Sequence, residues 1–134
     1  MRSVLIIVAV VVLLAYTGAC WLLHAKQREM IYYGWTTTVD AASTDFELQR
    51  PDATLRGWVV NRDRPDPIIY FGGNAERIEA NRMDFARMFP GRSVYLVAYR
   101  GYGASTGAPS EAALVPDALA VFDASRIDVD RLRD

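Results

Sequence analysis

The sequence carries one cysteine, one histidine and, at Lys26, one lysine in 134 residues. A single cysteine excludes an internal disulfide framework. Cys20 lies inside an apolar run, so it says nothing about redox compartment. The formal net charge is −1, and the arginines at 62, 64, 77, 82, 87 and 92 are scattered singly. That is a solvated pattern with no basic stripe to follow a phosphate backbone, which excludes nucleic acid as a partner. Internal repeats and low-complexity tracts are absent. So is a nucleotide fingerprint: there is no G-K-[ST], and in the only G-x-G stretch Thr106 stands where the third glycine belongs. No metal-ligating set and no cofactor site is read.

What is present begins with charge-free Val4–Leu23, "VLIIVAVVVLLAYTGACWLL". About 20 apolar residues span a bilayer core as a helix, so residues 1–25 read as a single-pass membrane anchor with the lipid bilayer as partner through 4–23. A cleaved signal peptide is the rival, although its apolar region is about 7–15 residues. A lipidated Cys20 is a third reading, against which Thr17 stands where a lipobox carries Leu. Arg2 and the N-terminal amine nearly balance His24, Lys26 and Arg28, so the flanks assign no side of the membrane.

Residues 26–45 read as a juxtamembrane neck, "KQREMIYYGW", followed by a polar connector without periodicity. Residues 46–134 read as the soluble domain. Phe46–Gln49 and Thr54–Val60 flank turn chemistry at 50–53 and predict a β-hairpin. "NRDRPDP" (61–67) is a breaker-rich loop. "IIYF" (68–71) has no polar face and predicts a strand buried on both sides. After Gly72-Gly73-Asn74, the spacing of Ile78, Phe85 and Phe89 predicts a helix over 75–89, stopped by Pro90-Gly91. "SVYLVAY" (93–99) is the next strand and "RGYGASTGAP" a glycine-rich loop. Pro116 interrupts any helix begun at Glu111, so the durable helix is placed at about 116–125 with proline in its first turn. Strand, turn, helix, strand, loop, helix is a βαβα unit of the kind that builds parallel sheets.

Gly103-Ala104-Ser105-Thr106-Gly107 spells G-x-S-x-G, the signature of a nucleophile elbow. An elbow, however, presents its serine within a couple of residues of the strand and starts a helix at once, whereas Ser105 lies six residues past Tyr99 and precedes Ala108-Pro109. A nucleophilic serine also needs a base within hydrogen-bond reach, and no histidine follows residue 24. Ser105 reads as a loop serine, and no catalytic residue is assigned. "IIYFGGNAERIE" (68–79) is more informative. A strand entering a glycine turn with a helix behind it aligns backbone N–H groups as an oxyanion requires; a plain turn between strand and helix is the alternative.

Together "YFGGNAERIE", "YRGYGASTGAPSE" and "DALAVFD" resemble the α/β-hydrolase superfamily, in its membrane-anchored branch related to lysophospholipases and acyl-protein thioesterases. The "Q-R-x-x-I-Y-Y" neck at 27–33 extends the likeness over nearly the whole chain. The resemblance implies the N-terminal portion of an α/β-hydrolase fold: one transmembrane helix, a β-hairpin, then βαβα with a mainly parallel sheet. It matches Phe71-Gly72-Gly73-Asn74 to the family's F-H-G-N turn, with Gly72 in place of histidine and Asn74 as a backbone oxyanion donor. It makes Arg100, Gly101, Tyr102 and Gly103 active-site loop residues, with Ala98 where the family commonly has Asp. It implies an acyl ester or thioester substrate and no cofactor, with nucleophile, acid and histidine beyond residue 134. A non-catalytic, membrane-anchored interaction protein on a shortened hydrolase fold is the alternative.

Overall fold

The computed structural model describes residues 1–130; positions 131–134, at the end of the predicted soluble domain, lie outside the described residues. The chain divides into two compact units, Met1–Tyr32 and Tyr33–Asp134. The first is one helix, α1 (Arg2–Ile31), none of whose residues is buried. It is long and apolar enough to cross a membrane. At about 1.5 Å per residue its 30 residues exceed the ~30 Å of a hydrocarbon core.

Among the described residues the second unit is a four-stranded mixed sheet between two α-helices. β1 (Phe46–Arg50) and β2 (Ala53–Val60) form the predicted hairpin, its turn reduced to Pro51-Asp52. Glu47 faces Arg56 directly across the pair and forms an ion pair with it at 2.8 Å. The loop 61–67 holds Asn61, Asp63 and Asp66 at positive φ, a conformation that short polar side chains tolerate. β3 (Ile68–Phe71) and β4 (Val94–Val97) complete the order β1-β2-β4-β3. β3 runs parallel to β4, while β2 is antiparallel to both β1 and β4. The hairpin supplies the antiparallel part and the β3-to-β4 crossover the parallel part.

Strand periodicity divides the core between the two faces. On one side Phe46, Leu55, Val59, Tyr95 and Val97 pack with Val121 of α3 (Glu111–Asp130). The Tyr95 hydroxyl donates to Asp128 at 2.8 Å, and burial followed by that carboxylate pushes its pKa up. On the other side, near α2 (Arg82–Met88), Trp58 and Leu96 are buried, Tyr70 packs on Phe85, and the Arg82 guanidinium lies over the Trp58 ring. Every residue of β4 is buried, as a central strand requires.

Three expectations are corrected. β3 is only half-buried along its length, because it is the edge of the sheet among the described residues. The predicted helix 75–89 is broken: Ala75 sits at φ 64, a 3-10 turn covers Ile78–Asn81, and α2 starts only at Arg82. A left-handed residue cannot continue an α-helix. Conversely, α3 runs unbroken from Glu111 through Pro116. Pro116 is the sixth residue of α3 and removes one intrahelical bond, the one to the Ala112 carbonyl, without ending the helix. The Ser110 carbonyl accepts from Ala113 and Leu114 and starts the helix upstream of it. The polar connector is also ordered. A 3-10 turn at Gly34–Thr36 leads from the neck into it, a second covers Ala41–Ser43, and Thr37 is buried.

Candidate active-site turn and glycine loop

Because β3 and β4 are parallel, the Gly72-Gly73-Asn74 turn and the loop starting at Tyr99 leave the sheet at the same end. That is the end where open α/β sheets place their ligands, beyond the carboxyl termini of the strands. The two segments the sequence singles out are thus brought together by strand polarity.

The turn is tight. The Glu76 N–H donates to the Gly73 carbonyl at 3.1 Å, and the Glu76 carboxylate reaches back to accept from the Gly73 N–H at 2.5 Å. The same carboxylate accepts from the Tyr70 hydroxyl at 2.7 Å and the Asn81 amide at 2.6 Å. The Gly73 amide, followed by Tyr70, holds the Glu76 carboxyl below the usual carboxylate range. Glycine at 72 is required by packing: a Cβ there would lie 2.2 Å from Ile78 Cγ2. A larger side chain has no room at that position while Ile78 stays buried.

Asn74 faces the loop. Its side-chain oxygen accepts from the Tyr102 hydroxyl at 2.8 Å and from the Tyr33 N–H at 3.1 Å. The Tyr33 N–H also reaches the Tyr102 oxygen at 3.0 Å. The Tyr99 ring stacks on Phe71 and meets Tyr102 edge-on. Thr37 accepts from the Gly103 N–H at 2.9 Å, which fastens the connector to the loop. Between turn and loop lies a cavity of about 10 Å³, bordered by Gly72, Gly73, Glu76, Ala98, Tyr99 and Tyr102 among others. It has room for about one water.

Arg100 is 5% exposed. Its guanidinium makes a two-pronged pair with Asp117, at 2.7 and 2.9 Å, and a third contact to Asp52 at 2.8 Å. Arg50 adds a bond to Asp117 at 3.1 Å. Arg100 thereby anchors the root of the loop to α3 and to the hairpin turn. Ser105 is buried, its hydroxyl donating to the Ala98 carbonyl and accepting from the Arg56 N–H, both at 2.8 Å. It bolts the loop to β2. The single histidine belongs to α1, in the other unit. Sequence reasoning missed Glu76 and Asp117. An acid three residues after a glycine turn signals the first weakly, and nothing local signals the second.

No protein-family model matches the chain. Among curated proteins it is 35% identical over 98 residues to the alpha/beta hydrolase domain-containing protein WAV2 of Arabidopsis thaliana, covering 66% of this chain and 32% of that one. It is 31% identical over 140 aligned positions to the uncharacterized protein Rv2307c of Mycobacterium tuberculosis, covering 95% of this chain and 50% of that one. Protein bem46 of Schizosaccharomyces pombe is 43% identical over 59 residues, 42% of this chain and 19% of that one. The chain therefore spans between a third and a half of the length of the first relatives it matches. With a mixed sheet whose turn and glycine loop share one end, and with these relatives, the chain matches the N-terminal half of an α/β-hydrolase-like branch.

Proposed function

We propose that these 134 residues supply the membrane anchor and the oxyanion side of a serine hydrolase acting on acyl esters or thioesters. α1 holds the protein at the bilayer. The Asn74 backbone N–H is one donor to the oxyanion that forms when the substrate carbonyl is attacked. Donors fixed before the reaction stabilise that charge without reorganising. The nucleophilic serine, its histidine and acid, and the second donor come from polypeptide outside these residues, and the acyl group passes through a serine ester. The observation that carries the reading is the placement of the glycine turn and the glycine loop at one end of two parallel strands.

The test is fluorophosphonate labelling and p-nitrophenyl ester hydrolysis. Both are measured on the chain alone and on the chain joined to the C-terminal portion of the M. tuberculosis relative. Labelling and turnover confined to the joined protein support the proposal. A joined protein that melts cooperatively yet neither labels nor turns over overturns it. That result would favour a second reading, a non-catalytic binding protein. Its support is an open apolar groove of about 460 Å³ between Phe71, Tyr99 and the Leu114–Phe122 stretch of α3.

A further inference from the structure

Two consecutive glycines at a strand end give the chain many conformations to lose. A backbone donor on such a turn has a fixed direction only if something outside the glycines holds it. The structure has such holds at both Gly73 and Asn74, the latter also bonded by the Tyr33 N–H. On one side the Glu76 carboxylate takes the Gly73 N–H. It is itself set by the Tyr70 hydroxyl, on β3, and by Asn81, at the start of α2. Tyr70 is in turn packed on Phe85 of α2. On the other side the buried Tyr102 hydroxyl takes the Asn74 side-chain oxygen. Its ring is braced by Tyr99, which stacks on Phe71, the last residue of β3.

We propose that Glu76 and Tyr102 are positioning residues that clamp the Gly72-Gly73-Asn74 turn from its two sides, Glu76 through the Gly73 amide and Tyr102 through the Asn74 side chain. The assignment rests on reading that turn as the oxyanion side of a hydrolase. It adds that the turn is set before substrate arrives, by groups that never touch substrate. A carboxylate receiving a backbone N–H makes one of the stronger neutral-donor bonds available, and the acidity of Glu76 keeps it charged at neutral pH. On the loop side, the bond from Tyr102 explains why an aromatic hydroxyl sits in the middle of a glycine-rich segment. The same hydroxyl oxygen also accepts from the Tyr33 N–H at 3.0 Å.

The experiment is amide hydrogen exchange, read by 15N spectra of the intact chain in detergent micelles. Glu76→Ala is expected to speed exchange at Gly73 by about three- to tenfold, the worth of one hydrogen bond. Glu76→Gln, which keeps an acceptor oxygen, is expected to restore part of that protection. Tyr102→Phe keeps the ring and should shift the Asn74 side-chain amide signals. In all three the β4 amides should exchange as in the parent. Unchanged exchange at Gly73 in Glu76→Ala, or unmoved Asn74 signals in Tyr102→Phe, would overturn the clamp, as would changes spread evenly over β4. Local release of the turn in a joined protein that hydrolyses no ester would keep the clamp and remove its catalytic meaning. Hydrolysis with an unmoved turn would do the reverse.

Discussion

Asp117 is 3% exposed and receives two arginines. Burial pushes its carboxyl up, but Arg100 and then Arg50 more than reverse this and hold it below the ordinary value. A depressed carboxyl pKa stabilises the fold fully above the unfolded value of about 4, and that stability is lost as pH falls through the folded value. Removing one member of a buried pair leaves the other charge stranded, at a cost of about 3–5 kcal/mol. Asp117→Ala should therefore lower the urea midpoint of the detergent-solubilised chain at pH 7 and flatten its decline below about pH 4; an unchanged acid limb would refute the assignment. Ser105 is a milder case. Ser105→Ala strands the Arg56 N–H and the Ala98 carbonyl and should cost about 1–3 kcal/mol. It should not alter fluorophosphonate labelling of the chain, which we expect to be nil with or without it.

At the scale of elements, the end of the neck and the glycine loop pack backbone to backbone. A Cβ on Gly34 would lie 2.0 Å from the Gly101 carbonyl oxygen. Main chain cannot swing aside as a side chain can, so Gly34→Ala should destabilise by about 1–3 kcal/mol, the usual cost of overpacking. Gly91→Ala, with nothing within 4 Å of its Cβ, is the control and should melt within a degree or two of the parent. The hairpin, β3 and β4 were legible in the sequence because turn residues and short apolar runs are local signals. Proline and the helical period were less reliable guides. Pro116 does not end α3 because it removes one bond while Asp117 and Val121 hold the helix beyond it. The 75–89 pattern was overridden because Glu76 binds the turn before it and Ala75 adopts a left-handed conformation.

At the scale of the whole molecule, two surfaces set the behaviour in solution. α1 is unburied along its length and charge-free over residues 4–23. A spanning helix resists high salt and alkaline carbonate, so the intact chain should stay in the membrane pellet through both washes, and deletion of residues 1–25 should abolish that. Release of the intact chain by either wash would refute the anchor. The second surface is the β3 edge together with Val115, Leu119 and Phe122 on α3, each at least 48% exposed. A strand edge without charge or proline is an aggregation template, and an apolar face beside it compounds the effect. Residues 33–134 expressed alone should bind a hydrophobic dye or aggregate; a soluble monomer with a sharp thermal transition and no dye binding would contradict this.

The sequence by itself determined where the apolar helix lies, which stretches are strands, that the two glycine segments follow two of those strands, and that no histidine follows Ser105 in these residues. These follow from local sterics and from side-chain periodicity, which need no knowledge of what packs where. The tertiary structure shows β4 between β2 and β3, with β3 at the edge among the described residues, as the family resemblance implied. It alone gave Arg100 to Asp117 and Asp52, and Tyr102 to Asn74. These partners lie 17, 48 and 28 residues apart, and a charge or hydroxyl gives no local sign of which distant group will neutralise it. Sheet order brings such groups within reach, and burial then makes the pairing obligatory.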